Sequence, residues 1–234
     1  MYQIRWHLLW ALIWAIGSAS AVANSPIKVS TTTNTNPPSN TKPGGGLDPT
    51  NLSCKKTDRP LTALSPRDNF RSTTSEHPTF WFYIPYSPED IKKGEFVLLT
   101  LDEKTLIYET AFELPKTPGI VSISLPPSPE YALAEGKSYR WYLRLYCKNS
   151  TRSRSDLAVD GWLNRVAATA ETERSINAGA PDIWYDSLTR LGNLLLVSPQ
   201  DEKSRNDWNK LLELIGEKEL AKEQLVGPIV VVKE

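Results

Sequence analysis

Few residues in this chain combine a reactive side chain with a spacing that chemistry could use. There are two cysteines, Cys54 and Cys147, and His77 is the only histidine beyond the amino-terminal segment. Any Ser–His or Cys–His mechanism would have to use His77, which directly precedes a predicted strand and is interpreted as a loop residue. Two isolated cysteines and one histidine do not have the spacing of a zinc site, so no metal is predicted. No phosphate-binding, dinucleotide or calcium motif occurs, and no cofactor is predicted.

Carboxylates are the other groups that could do chemistry. A glycosidase needs two of them facing one cleft. The acidic candidates are Asp102, Glu103, Asp156, Asp160, Asp182 and Asp186. Asp182 and Asp186 lie near a predicted helix start, where acidic residues are expected because they interact favourably with the helix dipole. A hydrolase of envelope polysaccharide that uses paired carboxylates is therefore the alternative hypothesis, and a non-enzymatic binding module is preferred.

The strand predicted at 139–147 offers a binding surface. Successive strand residues point to opposite faces of a sheet. One face is apolar and predicted to be core: Tyr139, Trp141, Leu143, Leu145 and Cys147. The opposite face, with the basic residues of the following loop, gives the candidate binding residues Arg140, Tyr142, Arg144, Tyr146, Arg152 and Arg154. Alternating cations and aromatics suit either a structural cation–π ladder or a contact surface for a protein or an anionic envelope polymer, and both interpretations remain open.

The amino-terminal segment predicts the compartment. Residues 1–23 contain one charge, Arg5, an apolar run at 8–16 and the A-x-A pattern of residues 21–23, which together are typical of a cleaved signal peptide. The apolar run is shorter than the ~20 residues that a bilayer crossing needs. We therefore expect a periplasmic or secreted protein without a membrane span after cleavage, and an uncleaved anchor is the alternative.

In such a compartment two cysteines permit one intramolecular disulfide. A bridge between Cys54 and Cys147 would close a loop of roughly 100 residues, for which the chain-entropy account gives about 4–5 kcal/mol as an upper figure. The bridge would hold the start of the ordered chain against the end of a long strand. Two buried free thiols are the alternative.

The charge balance excludes one class of partner. The chain has 27 basic and 27 acidic residues, and removal of Arg5 with the signal peptide leaves a slight acidic excess. A general nucleic-acid binder needs a basic excess, so no nucleic-acid partner is predicted.

Composition divides the mature chain into four parts. Residues 24–50 are rich in Thr, Asn, Pro and Gly and are predicted to be a disordered linker, because they bury too little apolar surface to offset the entropy of ordering. A β-sandwich domain is predicted at 51–166, a helical subdomain at 167–226 and a tail at 227–234.

Short β-branched and aromatic segments between turn residues predict the strands. They are 79–84, 95–101, 105–110, 119–125, 139–147 and 157–166, with a hairpin turn at 102–104. The segment from Leu133 through Gly136 to Tyr139 resembles the tyrosine corner of immunoglobulin-like and fibronectin-type sandwiches, in which the Tyr hydroxyl bonds to backbone just upstream. The predicted fold is therefore α+β: an immunoglobulin- or fibronectin-like antiparallel β-sandwich with a carboxyl-terminal α-helical hairpin packed on it.

The carboxyl-terminal third shows helical patterns. Residues 167–178 have helix-forming composition, Asp182 and Asp201 are predicted caps of two further helices, and Gly216 is a suitable terminator. The stripes of these two helices start at Trp184 and Trp208. A weak helix is predicted at 217–225 and a short strand or disordered end at 229–232.

The predicted strand 157–166 is apolar on both faces, and such a strand needs cover on both. We expect the helical hairpin to supply it through Trp162, Trp184 and Trp208. The mature tryptophans, Trp81 and Trp141 included, lie on apolar stripes, so they are interpreted as structural core rather than a sugar platform.

Several motifs carry a family resemblance when they are taken together. They are Pro78–Pro85, Leu114–Val121, Gly161–Val166, Ile183–Leu188 and the pair Asp207-Trp208. In combination they resemble a family of secreted cyanobacterial proteins catalogued only as a domain of unknown function. The resemblance covers roughly residues 54–226, implies an extracytoplasmic setting and supplies no catalytic residue.

Overall fold

Nine strands and three α-helices occur among the residues described by the computed structural model, namely 39–43, 54–67, 71–229 and 231. The strands are β1 Thr62–Ala63, β2 Ser72–Thr73, β3 Thr79–Ile84, β4 Ile91–Thr100, β5 Leu106–Phe112, β6 Gly119–Ser124, β7 Ser138–Cys147, β8 Leu157–Arg165 and β9 Leu225–Pro228. The helices are α1 Ala170–Ala178, α2 Trp184–Val197 and α3 Glu202–Leu214. The fold is thus mixed α+β, with its helices toward the carboxyl end.

Most of the amino-terminal predictions concern residues outside the described part of the chain. The predicted signal peptide, 1–23, and most of the predicted linker lie outside the described residues. Residues 39–43 of that linker are packed: Thr41 is buried and its carbonyl accepts a hydrogen bond from the Ala63 N–H at 2.8 Å. Ordered packing therefore begins before residue 51.

The strands form two sheets, and neither is closed into a barrel in the described chain. One has the order β1-β3-β6-β9 and the other the order β2-β8-β7-β4-β5. Most neighbours are antiparallel, as predicted, but β2 pairs with β8 and β9 pairs with β6 in parallel. The prediction of a wholly antiparallel arrangement is wrong for these two edge strands, because each reaches its partner from a distant part of the chain and not through a hairpin.

Aromatic rings fill the space between the sheets. Phe80 of β3 lies 4.9 Å from Phe96 of β4, and Phe82 lies 5.5 Å from Trp141 of β7, measured between ring centroids. All four side chains are almost completely buried. Each such burial contributes about 1.5–3 kcal/mol, so these rings form the main apolar contact between the layers.

The predicted corner at Tyr139 has the expected local bond. Its hydroxyl accepts a hydrogen bond from the Ala134 N–H at 2.7 Å, and the ring is buried. This contact fixes the entry of the chain into β7, the central strand of the larger sheet.

The Cys54–Cys147 disulfide is confirmed. The bridge spans a sequence separation of 93 residues and its Cα atoms are 5.3 Å apart. It ties the segment before β1 to the last residue of β7.

Helix ends follow the predicted signals in part. Asp201 caps α3 by accepting a hydrogen bond from the Ser204 N–H at 2.9 Å, and Gly216 follows the helix with φ of 76°. Asp182 caps nothing: it lies in a 3₁₀ turn, Pro181–Ile183, and Ile183 precedes α2 without a side-chain cap.

The weak helix predicted at 217–225 is not formed. The chain makes a 3₁₀ turn, Lys218–Lys222, and then strand β9. The free edge of β6 explains the difference, because pairing with it satisfies backbone groups that a marginal helix would otherwise satisfy.

The helical hairpin of α2 and α3 covers the smaller sheet. The Trp81 ring, on the outer side of β3, packs edge-to-face on Trp208 at 5.8 Å and donates a hydrogen bond to Thr189 at 3.1 Å. Gly192 permits this approach, because a Cβ there would lie 2.6 Å from the Trp81 ring. The prediction that the hairpin covers the Trp162 ring is wrong: that ring packs instead under the Arg71 guanidinium, 4.2 Å from its centroid.

Trp184 and Tyr185 anchor α2 to the sheets. The Trp184 indole donates to the Leu64 carbonyl at 2.9 Å. Buried Tyr185 accepts from the Trp141 indole at 2.9 Å and donates to the Trp162 carbonyl at 3.2 Å, and burial raises the pKa of its hydroxyl. Among the described residues, none of the helices has the length and apolar character needed to cross a membrane.

Candidate ligand-binding face

The outer side of the larger sheet carries the strip that the sequence singled out. Strand β7 lies between β8 and β4, and its outward residues sit opposite polar residues of β4: Arg144 pairs with Glu95, and Tyr146 with Lys93. We call the group Lys93, Glu95, Tyr142, Arg144 and Tyr146 the open face. Its two tyrosines and its arginine are half-buried, whereas the residues between them on β7 point into the core.

Arg140 belongs to the binding strip predicted from the sequence, but it is not part of the open face. It is 7% exposed and forms an ion pair with Asp160 of β8. Asn40 donates a hydrogen bond to the same carboxylate at 3.0 Å, so the packed segment 39–43 covers this end of the strip. Arg140 is therefore a buried structural group, and a partner would first meet Tyr142.

Tyr142 is held from three sides. Its hydroxyl donates to Glu103 at 2.8 Å, and the guanidinium carbons of Arg140 and Arg144 lie 5.6 and 5.3 Å from its ring centroid. Burial and the bond to Glu103 raise the pKa of its hydroxyl, so it remains a protonated donor at neutral pH. Glu103 occupies the β4–β5 turn with φ of 58°, a left-handed conformation in which a non-glycine residue is uncommon.

Glu95 organises the other end of the open face. One carboxylate oxygen accepts from the Tyr146 hydroxyl at 3.1 Å and from Arg144 at 3.3 Å, and the other is 3.4 Å from the Lys93 ammonium. Burial alone would raise the pKa of Glu95, but these hydrogen bonds outweigh it and hold the pKa below the ordinary value of 4.5. The carboxylate is thus ionised at neutral pH and orients three potential contact groups.

The loop after β7 carries Arg152 and Arg154 beyond the open face. Asp156 holds the loop by accepting from the Cys147 N–H at 2.9 Å and from the Ser150 hydroxyl at 2.7 Å. Both arginines are exposed, and neither forms an ion pair with another described residue. They are the most accessible cations of the predicted binding set.

Several of the catalytic candidates make structural contacts. His77 Nε2 is 3.0 Å from the Ser128 carbonyl, in the loop where it was expected. Asp186 accepts from the Thr74 N–H and hydroxyl, each at 3.1 Å. Cys54, Cys147 and Asp156 bring two sulfurs and a carboxylate within 4.8 Å of one another, but the sulfurs are bonded to each other and thus hold no thiolate for a metal.

A cleft of about 370 Å³ lies between α2, α3 and the segment before β9. Its apolar wall is formed by Leu195, Leu196, Trp208, Ala221 and Leu225. Its charged groups already have partners: Lys222 pairs with Glu219 at 2.8 Å, and Glu223 with Arg59 at 3.6 Å. The charged side chains Lys222 and Glu223 of the cleft are thus already engaged by their own neighbours.

Sequence reasoning missed Glu95 and Tyr185. Glu95 was included in a strand without a role, although its position two residues after Lys93 could have indicated an outward ion pair on one face. Tyr185 lies beside Trp184 on the apolar side of α2, and no local pattern shows that its hydroxyl enters the space between the sheets.

Two facing sheets, a helical cover, one disulfide and one open polar–aromatic face define a disulfide-bonded α+β domain. The model of the family described as Domain of Unknown Function (DUF928) matches residues 42–225, and the chain belongs to that family. This confirms the family part of the resemblance, while cyanobacterial origin and secretion stay predictions.

Other comparisons add little. No curated protein matches the chain. Among solved structures, the chain is similar to astrotactin-2, described as a conserved vertebrate-specific and perforin-like membrane protein involved in neuronal development. The similarity has 11% identity and a TM-score of 0.29, over 67% of this chain and 28% of that one. A likeness at this level supports no argument about fold or function.

Proposed function

We propose that the protein is a non-enzymatic binding module acting outside the cytoplasm, with the open face and Arg152 and Arg154 as its contact surface. The observation that carries this proposal is that Tyr142 and Tyr146 are half-exposed yet fixed by Glu103 and Glu95. Tyrosine and arginine are enriched at binding hot spots. Side chains that are already ordered lose less entropy on binding, so this surface is prepared for a partner.

The extracytoplasmic setting rests on the disulfide. A bridge across 93 residues persists in an oxidising compartment and is rare in the cytosol. It agrees with the signal peptide predicted at 1–23.

We also propose an immunoglobulin- or fibronectin-like relationship for the two sheets. The Tyr139 corner bond and the aromatic contact between facing sheets support it. The parallel pairing of β2 and β9 is the departure from that architecture.

The alternative function is hydrolysis of envelope polysaccharide by paired carboxylates. It is the weaker hypothesis because three of the six acidic candidates are engaged in structural contacts. Asp160 pairs with Arg140, Asp186 holds Thr74, and Asp156 holds the loop after β7. A carboxylate that serves as a fixed structural acceptor is poorly placed to transfer protons to a substrate.

Retention on envelope material of the source organism tests the proposal. The variant Tyr142→Ala/Tyr146→Ala removes both half-buried rings, and Leu214→Ala, on helix α3, is a control that shortens a 65% exposed side chain. We expect at least tenfold weaker retention for the double variant and no change for the control. Equal retention of the double variant and the wild type would contradict the proposal. Release of reducing sugar by the wild type, lost in Asp156→Asn or Asp160→Asn, would favour the hydrolase.

A further inference from the structure

Exposed cations gather around the disulfide. Three stretches that are distant in sequence meet there: the residues after Cys54, the start of β4 and the loop after β7. We call the exposed cations of these stretches the basic pole: Lys55, Lys56, Lys92, Lys148, Arg152 and Arg154. Its members come from positions almost 100 residues apart, so no single sequence window reveals the cluster.

The backbone brings the three stretches to one place. Ile91 pairs with Cys147 across the β4–β7 ladder, which sets Lys92 beside the end of β7. The Lys148 N–H donates to the Asp90 carbonyl at 2.9 Å. The disulfide holds the Cα atom of Cys54 5.3 Å from that of Cys147, and Lys55 and Lys56 directly follow Cys54.

Nearby carboxylates offset only part of this charge. Asp90 accepts from the Ser87 N–H and hydroxyl and lies 3.9 Å from Lys55, while Asp156 is turned toward the Cys147 N–H. Asp58 and Glu89 are the other acidic residues of these stretches. The six cations of the basic pole therefore outnumber the four acidic residues of these stretches, which leaves a net positive charge around the disulfide.

The charge of the whole chain makes this local excess meaningful. Basic and acidic residues balance at 27 each, so an excess at one place requires a deficit elsewhere. The helical part supplies the deficit, with eleven acidic and seven basic residues between positions 167 and 229. A local excess of positive charge of this kind attracts an approaching polyanion.

We propose that the basic pole binds a polyanionic polysaccharide, with sulfate or carboxylate groups repeated along the polymer. The inference rests on the proposed function and names its ligand class. Single exposed ion pairs contribute little, so a small anion would bind weakly to cations that are exposed and form no enclosed cradle. A polymer engages several cations at once, and each later contact is intramolecular and so gains from high effective concentration.

The open face extends the same surface. Tyr146 lies opposite Lys93, one residue from Lys92, and the Lys93 ammonium is 4.5 Å from the Tyr146 ring centroid. A sugar chain held by its charges at the basic pole would thus reach the rings of Tyr146 and Tyr142. The two surfaces supply different contacts, charge from the basic pole and ring faces from the open face.

Binding of dextran sulfate, with uncharged dextran as the reference, tests the proposal by titration at 50 and 200 mM salt. The test variants are Lys55→Glu/Lys56→Glu and Arg152→Glu/Arg154→Glu. The control Lys104→Glu/Lys137→Glu makes the same charge change at exposed lysines beyond the opposite ends of β4 and β7. We expect each test variant to bind at least tenfold more weakly, the control to stay within threefold, and wild-type affinity to fall steeply with salt.

Several results would overturn the inference. They are unchanged binding by both test variants, an equal loss in the control, or tighter binding to duplex DNA than to dextran sulfate. The same variants distinguish a failure of this inference from a failure of the proposed function. If Tyr142→Ala/Tyr146→Ala loses envelope retention while Lys55→Glu/Lys56→Glu keeps it, the binding module stands and the polyanion is wrong. If only the lysine variant loses it, the charge assignment stands and the open face is wrong.

Discussion

The outer sides of the two sheets differ in how they use aromatic side chains. On the smaller sheet, Trp81 is buried beneath α2 and α3, and Gly192 lets the helix approach the ring. On the larger sheet, Tyr142 and Tyr146 stay half-exposed, and carboxylates of Glu103 and Glu95 fix their hydroxyls. Aromatic residues thus serve as packing on one side and as presented groups on the other. The difference lies in what surrounds the ring: apolar partners and glycine, or charged partners.

The contrast has a physical origin. An indole can be buried when its single N–H finds one acceptor, as Trp81 finds Thr189. An apolar helix could cover a strip of alternating tyrosines and cations only by desolvating several charges. The free-energy cost of that desolvation exceeds the stabilisation from the apolar contact. The helical hairpin therefore packs on the sheet that carries Trp81.

Removal of the helical cover should have the largest effect. A chain ending at Ala180 loses α2, α3 and β9, and so exposes Trp81 and the edge of β6. We expect aggregation of this variant, measured by light scattering after expression. A soluble fragment with a cooperative unfolding transition would show that the covered side does not need its cover.

Removal of one oxygen atom should weaken the attachment of α2 to the sheets. Tyr185→Phe leaves the ring but removes the hydroxyl shared by Trp141 and Trp162, so buried polar groups lose their partner. We expect the free energy of unfolding to fall by about 1–3 kcal/mol in a urea titration. Tyr146→Phe, on the open face, is the matched control and should change it by less than about 1 kcal/mol, because Glu95 keeps Arg144 and Lys93 as partners. Equal effects would remove the distinction between the two sides.

The corner at the start of β7 should contribute less. Tyr139→Phe removes the acceptor of the Ala134 N–H, and Ala134 is itself exposed, so water can replace the bond. We expect a loss of about 0.5–1.5 kcal/mol in the same titration. An unchanged midpoint would indicate that the corner bond does not hold the strand that presents the open face.

The smallest expected effect is on the pH dependence of stability. The pKa of Glu95 is lower in the folded protein than its ordinary 4.5, so its stabilisation is complete above that pH and is lost as the pH falls through the folded value. Glu95→Gln should therefore reduce stability at pH 7 and lose less than the wild type between pH 5 and 3. Unfolding curves across that range measure the difference, and parallel pH profiles would contradict the role of Glu95.

Local pattern was a sufficient guide for some elements. The alternation of apolar and polar residues in β7 assigned Tyr139, Trp141 and Leu143 to the interior, where they are buried. The predicted oxidising compartment and the even number of cysteines predicted the Cys54–Cys147 bridge. These features depend on period and composition, which a sequence displays directly.

Other elements depend on partners that no local window contains. Arg140 is buried because Asp160 and the segment 39–43 meet it, and residues 225–228 form a strand because the edge of β6 is free. Trp162 was expected beneath the helices, yet Arg71, from a different loop, takes that place. In each case a contact between distant parts of the chain decides the outcome.

Hydroxyl-radical footprinting with mass spectrometry tests the central claim most directly, because it reports which side chains a ligand covers. Wild-type protein would be labelled with and without saturating dextran sulfate, with half-buried Tyr131, whose ring packs on the buried Tyr108, as an internal reference. We predict reduced labelling of Tyr142 and Tyr146 and unchanged labelling of Tyr131 and of the buried Trp81. Binding that leaves Tyr142 and Tyr146 as reactive as in the free protein would contradict the assignment of the open face as the contact surface.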